Sequence, residues 1–318
     1  MAIAFITGVT GQDGSYLSEK LQALGWDVHG MSRLGVVGEQ PVLPGITIHN
    51  ADLADAGSLS SILQLVRPDA VFNLAGLSSV AQSWAEPELA GAITGLAVGN
   101  MLQACRRISE ESSREIRFIQ ASSSEIFGNA DDDLQTESTP LRPTSPYGAA
   151  KAYAHHLVSV YRGSGMWAGS AILYHHESPR RPPSFVTRKI TMGVADIAQG
   201  RADTIELGNL EARRDWGWAP DYMDAMITIA AADEPSDYVV ATGVTHSVRE
   251  FVTAAFARVG IEDVDRYVVI NEKWNRPVDA AAPRGSAAKI HRELGWQPTL
   301  GFAEIVSAMV DHDLRPRQ

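Results

Sequence analysis

A chain of 318 residues, 45% hydrophobic and 20% charged, can bury a core large enough for one nucleotide-binding domain with a smaller partner. Its net charge of -11 argues against nucleic acid or an anionic membrane as the main partner, so any phosphate must be held by local positive charge. The single cysteine, Cys105, cannot form an internal disulfide and sits in a helical pattern as a buried, inert thiol; with no leader peptide and no apolar span of about 18 residues, the chain reads as cytoplasmic.

An apolar run over 2–7 precedes Gly8-Val9-Thr10-Gly11-Gln12-Asp13-Gly14, and then Tyr16, Leu17, Leu21 and Leu24 recur at helical spacing up to Gly25. This is strand, glycine turn and helix. Glycines 8, 11 and 14 let the backbone approach a pyrophosphate whose charge rests at the helix N-terminus, although the spacing is G-x-x-G-x-x-G and not G-x-G-x-x-G. Further strands are expected over 27–31, 47–49, 70–75, 117–121 and 167–173, with helices over 14–24, 58–66, 87–108 and 146–161. That alternation predicts an α/β, doubly wound parallel sheet of Rossmann-like type with a smaller C-terminal substrate domain. The expected division is a dinucleotide-binding domain over 1–172, joined by about 214–245, with the remainder of 173–318 forming the substrate domain.

An acid about 20 positions after the glycine turn would grip a ribose 2'-hydroxyl and indicate NAD. Here Met31-Ser32-Arg33 offers an arginine that can meet a 2'-phosphate, which favours NADP over NAD. After the third strand, Asp52 of Asn50-Ala51-Asp52-Leu53 either meets an adenine amino group or caps the next helix. The run Asp131-Asp132-Asp133 opens a polar loop without a metal-ligand pattern, and the His155-His156 and His175-His176 pairs point in divergent directions, so no metal site is expected. Trp216 and Trp218 are expected to pack in the core and at the domain junction.

At the end of a central strand, Gln120-Ala121-Ser122-Ser123-Ser124-Glu125 gathers hydroxyls and a carboxylate where doubly wound sheets place ligands. A carboxylate two residues beyond Ser123 suggests a second proton to be moved, hence elimination, while the same residues also form a common helix-capping arrangement. In Pro146-Tyr147-Gly148-Ala149-Ala150-Lys151, Tyr147 and Lys151 share one helical face, and the lysine charge is expected to lower the phenol's pKa and make it a usable base.

Taken with Ser145-Pro146-Tyr147, His176-Glu177-Ser178-Pro179-Arg180-Arg181, Phe185-Val186-Thr187-Arg188-Lys189-Ile190, Arg214-Asp215-Trp216-Gly217 and Ala241-Thr242-Gly243-Val244, these stretches make the chain resemble the extended short-chain dehydrogenase/reductases and, within them, the GDP-mannose 4,6-dehydratases. The resemblance runs nearly end to end. It implies oxidation at C4 by Tyr147 and Lys151, removal of the C5 proton by Glu125, loss of the C6 hydroxyl as water assisted by Ser123, and hydride return to C6. It further implies that Gly8, Thr10, Gly11, Gln12, Asp13, Gly14, Arg33, Asp52, Leu53, Leu74, Ala75, Tyr147, Lys151, His176 and Arg181 bind the dinucleotide. Ser79, Ser123, Glu125, His175, Glu177, Arg180, Val186, Lys189, Gly208, Arg214 and Arg276 are the implied contacts to the sugar nucleotide.

The chain departs from the family's usual residues at Leu77, Ser79, Ser123, His175, Asp279 and Ser286, and Leu34 follows Arg33 where a second arginine is usual, ahead of a shortened loop. A homodimer or homotetramer is expected, paired through the helices over 87–108 and 146–161. Two other readings stay open: a nucleotide-sugar 4-epimerase or 4-keto reductase of the same fold, and a catalytically silent cofactor-binding subunit.

Overall fold

The computed structural model describes residues 1–33, 44–131, 133–274 and 284–316. Twelve strands are present among them: β1 (Ile3–Thr7), β2 (Asp27–Ser32), β3 (Thr47–Asn50), β4 (Ala70–Asn73), β5 (Arg117–Ser123), β6 (Ala168–Leu173), β7 (His175–Glu177), β8 (Ile205–Leu207), β9 (Arg213–Trp218), β10 (Asp237–Val240), β11 (Thr245–Ser247) and β12 (Val268–Ile270). Seven of them form a parallel sheet in the order β10-β6-β5-β4-β1-β2-β3. The order reverses between β1 and β4, so a crevice opens at the C-terminal ends of those strands.

The central strands are near-continuous apolar runs because both faces are covered: β4 and β6 are buried at every residue. One layer packs Leu17, Leu21, Tyr222 and Met226 against the sheet, and the other packs Leu59, Leu63, Met101 and Ile108. Cys105 belongs to this second layer, fully buried, with its thiol pushed up to about 12 by desolvation, as expected of an inert side chain.

A third core lies beyond the sheet. Helices Val186–Ala198, Val248–Arg258 and Phe302–Asp313 converge on Trp216, Phe251, Phe256 and Met309. Trp216 is 2% exposed and spent on packing, and Trp218 is packed against the same cluster. Two small sheets, β11-β9-β7 and β12-β8, connect this part to the crevice.

Local chemistry fixes the helix starts and corrects two expectations. Asp55, and not Asp52, caps Ala56–Val66 by accepting from the amides of Gly57 and Ser58, whereas Asp52 turns back on the amide of Ala54 at 2.9 Å. The capping role considered for Asp52 therefore belongs to Asp55. The expected helix over 87–108 is three pieces: Pro87–Ala90, a wider π-turn at Gly91–Leu96, and Ala97–Ser112. Two glycines and the branched Ile93 and Thr94 weaken the α register there, and Thr94 gains a tertiary bond, its hydroxyl accepting from the amide of Leu77 at 3.0 Å. No helix among the described residues is long and apolar enough to cross a membrane.

Candidate active site

The glycine turn joins β1 to helix Gln12–Ala23, whose N-cap Gly11 has no side chain to satisfy the first amides. Gly14 is required for packing: a Cβ there would land on the carbonyl of Gly8 and on Val9, so its missing side chain lets the helix seat against the turn. Gln12 and Asp13 look toward the second half of the chain. The Gln12 amide donates to the carbonyl of His176 at 3.2 Å and accepts from the Ser178 hydroxyl at 2.8 Å. Asp13 Oδ2 lies 3.0 Å from His176 Nε2, while His176 Nδ1 lies 2.7 Å from the carbonyl of Tyr174.

With an acceptor beside each nitrogen, the doubly protonated imidazolium is the form of His176 that satisfies both. Burial pushes its pKa down, but the charge and hydrogen bond of Asp13 outweigh that and leave it above the ordinary value. Desolvation likewise raises Asp13, yet His176 and Arg181 bring it down to about 2.

A buried polar chain runs beneath the crevice. Thr7 Oγ1 donates to Asn73 Oδ1 at 2.6 Å, Asn73 Nδ2 to Gln120 Oε1 at 2.8 Å, and Gln120 Nε2 to the carbonyl of Ala121 at 2.9 Å. That same carbonyl accepts from Lys151 Nζ at 2.7 Å. The ends of β1, β4 and β5 are thereby locked to Lys151. Polar residues closing otherwise apolar strands are the only sequence signal for this chain.

Helix Pro146–Gly163 brings the candidate base to the end of β5. Ser145 caps it by accepting from the amide of Gly148, Pro146 fills the first helical position, and the Tyr147 amide donates to Ser83 Oγ at 3.1 Å. The helix can approach this closely only because residue 148 is glycine; a Cβ would sit 2.6 Å from the carbonyl of Glu125. Ser123 accepts from the Glu125 amide at 3.2 Å, capping Ser124–Ile126, and its side chain also hydrogen-bonds Tyr147.

The expected lowering of the phenol's pKa is corrected by the structure. Burial pushes Tyr147 up to about 12, with the charges of Glu125 and Asp13 adding to the rise against the Ser123 bond and Arg181. Lys151 is committed to the Ala121 carbonyl, 5.8 Å from the phenol ring centroid, and desolvation brings its own pKa down to about 8. Proximity along a helix supplied the pairing but not its sign.

These groups line a cavity of about 490 Å³. Of the candidate residues, Asp13, Leu74, Ser79, Ser123, Glu125, Tyr147, Lys151, His175, His176, Glu177, Arg181, Val186, Lys189, Gly208 and Arg214 line it. Glu177 is held by the Thr187 hydroxyl at 2.5 Å and by Arg181 at 3.4 Å. Gly8, Thr10, Gly11, Gln12, Gly14, Ala75, Arg33 and Asp52 lie outside this lining at the C-terminal ends of β1 to β4, along the crevice. Leu53 is buried in the core behind β1.

Arg180 is not at the cavity: it stacks over Tyr16 at 4.0 Å and bonds Ser15 and Glu19 on the glycine-turn helix, while its neighbour Arg181 faces the site. Arg276, Asp279 and Leu34 with the loop after it lie outside the described residues. The departures Leu77, Ser79 and His175 all line the cavity, whereas the Ser286 amide donates to the carbonyl of Gln135. No group of three or more metal-ligating side chains occurs among the described residues.

The site fits a dinucleotide on two observations. The glycine turn presents an uncapped helix start, and the buried Ser122 Oγ at the cavity wall has no hydrogen-bond partner within the protein. The family profile for GDP-mannose 4,6 dehydratase matches residues 5–309. GDP-mannose 4,6 dehydratase 2 of Arabidopsis thaliana is 41% identical over 325 residues, covering 98% of this chain and 87% of its own length. The GDP-mannose 4,6-dehydratase of Vibrio cholerae is 38% identical over 353 residues, covering 99% and 94%. Among solved structures, the UDP-glucose 4-epimerase of Thermus thermophilus, in complex with NAD, superposes with a TM-score of 0.85 at 28% identity over 98% of both chains. With matches that run through all three cores, the chain belongs to the GDP-mannose 4,6-dehydratase family.

Proposed function

We propose that this chain converts GDP-mannose to GDP-4-keto-6-deoxy-mannose, as the names of its relatives indicate for them, and that NADP is its cofactor. The observation that carries the reading is the meeting of Ser123, Glu125, Tyr147 and Lys151 at one end of a single cavity. Residues 1–172 with about 214–245 form the dinucleotide half, and the remainder of 173–318 forms the sugar-nucleotide half. Arg33 after β2, with no acid beside it, favours a 2'-phosphate.

When bound, the dinucleotide supplies the hydride acceptor and donor, and its oxidised ring adds the positive charge that a phenol at about 12 lacks. Tyr147 takes the C4 hydroxyl proton as C4 becomes a ketone, and the Lys151 ammonium and Ser123 hydroxyl hold the phenol in place. The ketone acidifies the C5 proton. Glu125 removes it and passes it to the C6 hydroxyl, which departs as water under a hydrogen bond from Ser123; C6 then receives the returning hydride and C5 takes up the proton held by Tyr147. Lys189, Arg181 and Arg214 supply the local positive charge for the diphosphate that the acidic chain as a whole does not.

Purified protein incubated with GDP-mannose and catalytic NADP should yield a nucleotide-sugar lighter by one water in mass spectrometry. Retained mass with an inverted C4 would instead place the chain with the 4-epimerases, and retained substrate with tight cofactor binding would leave a silent subunit. Parallel titrations with NAD and NADP decide the cofactor. A homodimer or homotetramer is further supported by Leu96, Tyr153 and Val160, exposed on the segments expected to pair; sedimentation as a monomer at micromolar concentration would remove that part.

A further inference from the structure

The cavity has an end whose aromatic side chain the reaction scheme leaves unused. Opposite Tyr147 and Glu125, its wall is made by Lys189 on helix Val186–Ala198, by the turn Leu207-Gly208-Asn209 after β8, and by Trp274. Trp274 is set there by the β8·β12 ladder. The Asn271 amide donates to the carbonyl of Leu207 at 2.8 Å, and the Trp274 amide closes a short turn onto the carbonyl of Asn271 at 3.1 Å. The indole Nε1 makes a long bond of 3.4 Å to Glu206 Oε2, which also takes Asn271 Nδ2 at 3.2 Å and Lys273 Nζ at 2.8 Å. Two cations attend the ring: Lys189 Nζ is 3.6 Å and Lys273 Nζ 5.1 Å from its centroid.

Two tryptophans line the cavity, and they are used differently. Trp216 is 2% exposed within the third core, so neither of its faces is available, whereas Trp274 is 51% exposed at the mouth. A half-exposed indole costs apolar contact with water unless a ligand covers it, and its face is already electrostatically engaged by an ammonium that a diphosphate would attract more strongly. A nucleobase is the planar apolar surface that a nucleoside diphosphate brings to this end, since its sugar must reach Tyr147 and Glu125 at the other.

We propose that Trp274 is the platform on which the base of the nucleotide-sugar stacks, and that Lys189 leaves the indole face for the diphosphate when the nucleotide enters. This deepens the reading of the same cavity and rests on a nucleoside diphosphate sugar being the substrate. Glu206 is a positioning residue that holds the indole edge. Burial first lowers the pKa of Lys189, with Glu206 opposing the shift and Lys273 adding to it, and a diphosphate beside the ammonium acts in the opposite direction.

The test uses GDP itself, which binds without turning over. In the intact protein, GDP should quench tryptophan emission saturably; in Trp274→Phe the quench should largely vanish while binding by calorimetry stays close to that of the wild type; in Trp274→Ala affinity should fall by roughly ten- to a hundredfold, the worth of one stacked base. With GDP-mannose, Trp274→Ala should act more on KM than on kcat. Wild-type affinity for GDP in Trp274→Ala, in a protein whose melting temperature and cofactor binding are intact, overturns the platform, as does a wild type whose emission GDP leaves unchanged. If the platform variants lose GDP while the wild type leaves GDP-mannose undehydrated, the platform stands and the proposed reaction falls; if Trp274→Ala turns over with unaltered KM, the reaction stands and the platform falls.

Discussion

On one wall of the cavity, the ends of β1, β4 and β5 are joined through Thr7, Asn73 and Gln120 to the carbonyl that holds Lys151; on the other, the three-residue strands β7, β8 and β12 are positioned by side chains such as Glu206, Thr187 and Arg181. The first wall sits on a sheet buried on both faces, where a displaced catalytic atom would strain many neighbours. The second adapts more cheaply. Chemistry belongs on the stiff wall, and recognition of a particular nucleotide and sugar belongs on the one that a few substitutions can reshape. The departures do not respect that division completely, because Leu77 and Ser79 follow β4 while His175 opens β7.

The sharpest way to break the comparison is at the stiff wall. Tyr147→Phe should lower turnover by about 10²–10⁴-fold with cofactor affinity retained, and Glu125→Gln should lose water elimination by a similar factor yet still exchange deuterium at C4 with labelled cofactor. A Glu125→Gln protein that also fails at C4 would mean the carboxylate serves the first step.

A smaller effect is expected where the two walls meet. Asp215 on β9 is fully buried and accepts from the Thr242 amide and hydroxyl and the Gly243 amide at 2.6 to 2.9 Å. Burial raises its pKa against those bonds. Asp215→Ala strands the donors and should cost about 2–4 kcal/mol of stability in denaturant unfolding. Sugar-nucleotide affinity should fall as well, because Arg214, which lines the cavity, precedes Asp215 on β9; unchanged unfolding would show that β9 is held from elsewhere.

The smallest effect concerns the latch between Asp13 and His176. His176 is raised above its ordinary 6.5, so its contribution is complete below that pH and is lost as pH climbs through the folded value; Asp13 is lowered from 3.8 to about 2, so its contribution is complete above 3.8 and is lost as pH falls toward 2. The melting temperature of the wild type should therefore exceed that of Asp13→Asn most between about pH 4 and 6.5, the gap closing on both sides. A gap that is flat across that range and beyond would mean the imidazole is neutral.

Much of this molecule could be read in the chain. Six of the seven strands of the sheet, all but β10, followed from apolar runs with ends that moved by one or two residues, while the helix expected over 87–108 broke into three pieces and runs on to Ser112. Tyr147 and Lys151 were legible because four residues make one helical face. The chain Thr7-Asn73-Gln120 was not, since its members come from strands 66 and 47 residues apart. Burial is what spacing cannot convey, and it reversed the expected shift of Tyr147. Arg180 and Arg181 are equivalent as letters but leave the backbone on opposite sides, one to Tyr16 and one to the cavity. Trp274 depends on the pairing of β12 with β8, about sixty residues earlier, and nothing near it in the chain announces that neighbour.

The π-turn at Gly91–Leu96 amounts to one residue more than an α-helix needs at that point. Shortening the segment by a single residue would let it close into a regular helix and rotate one flank by about 100° against the other. Thr94 would swing away from the amide of Leu77, and the cavity wall after β4 would lose its support while every catalytic side chain stayed in the sequence. A gap of one position here, between two otherwise matching relatives, is therefore a change of active-site shape, although no residue that touches the substrate has been replaced.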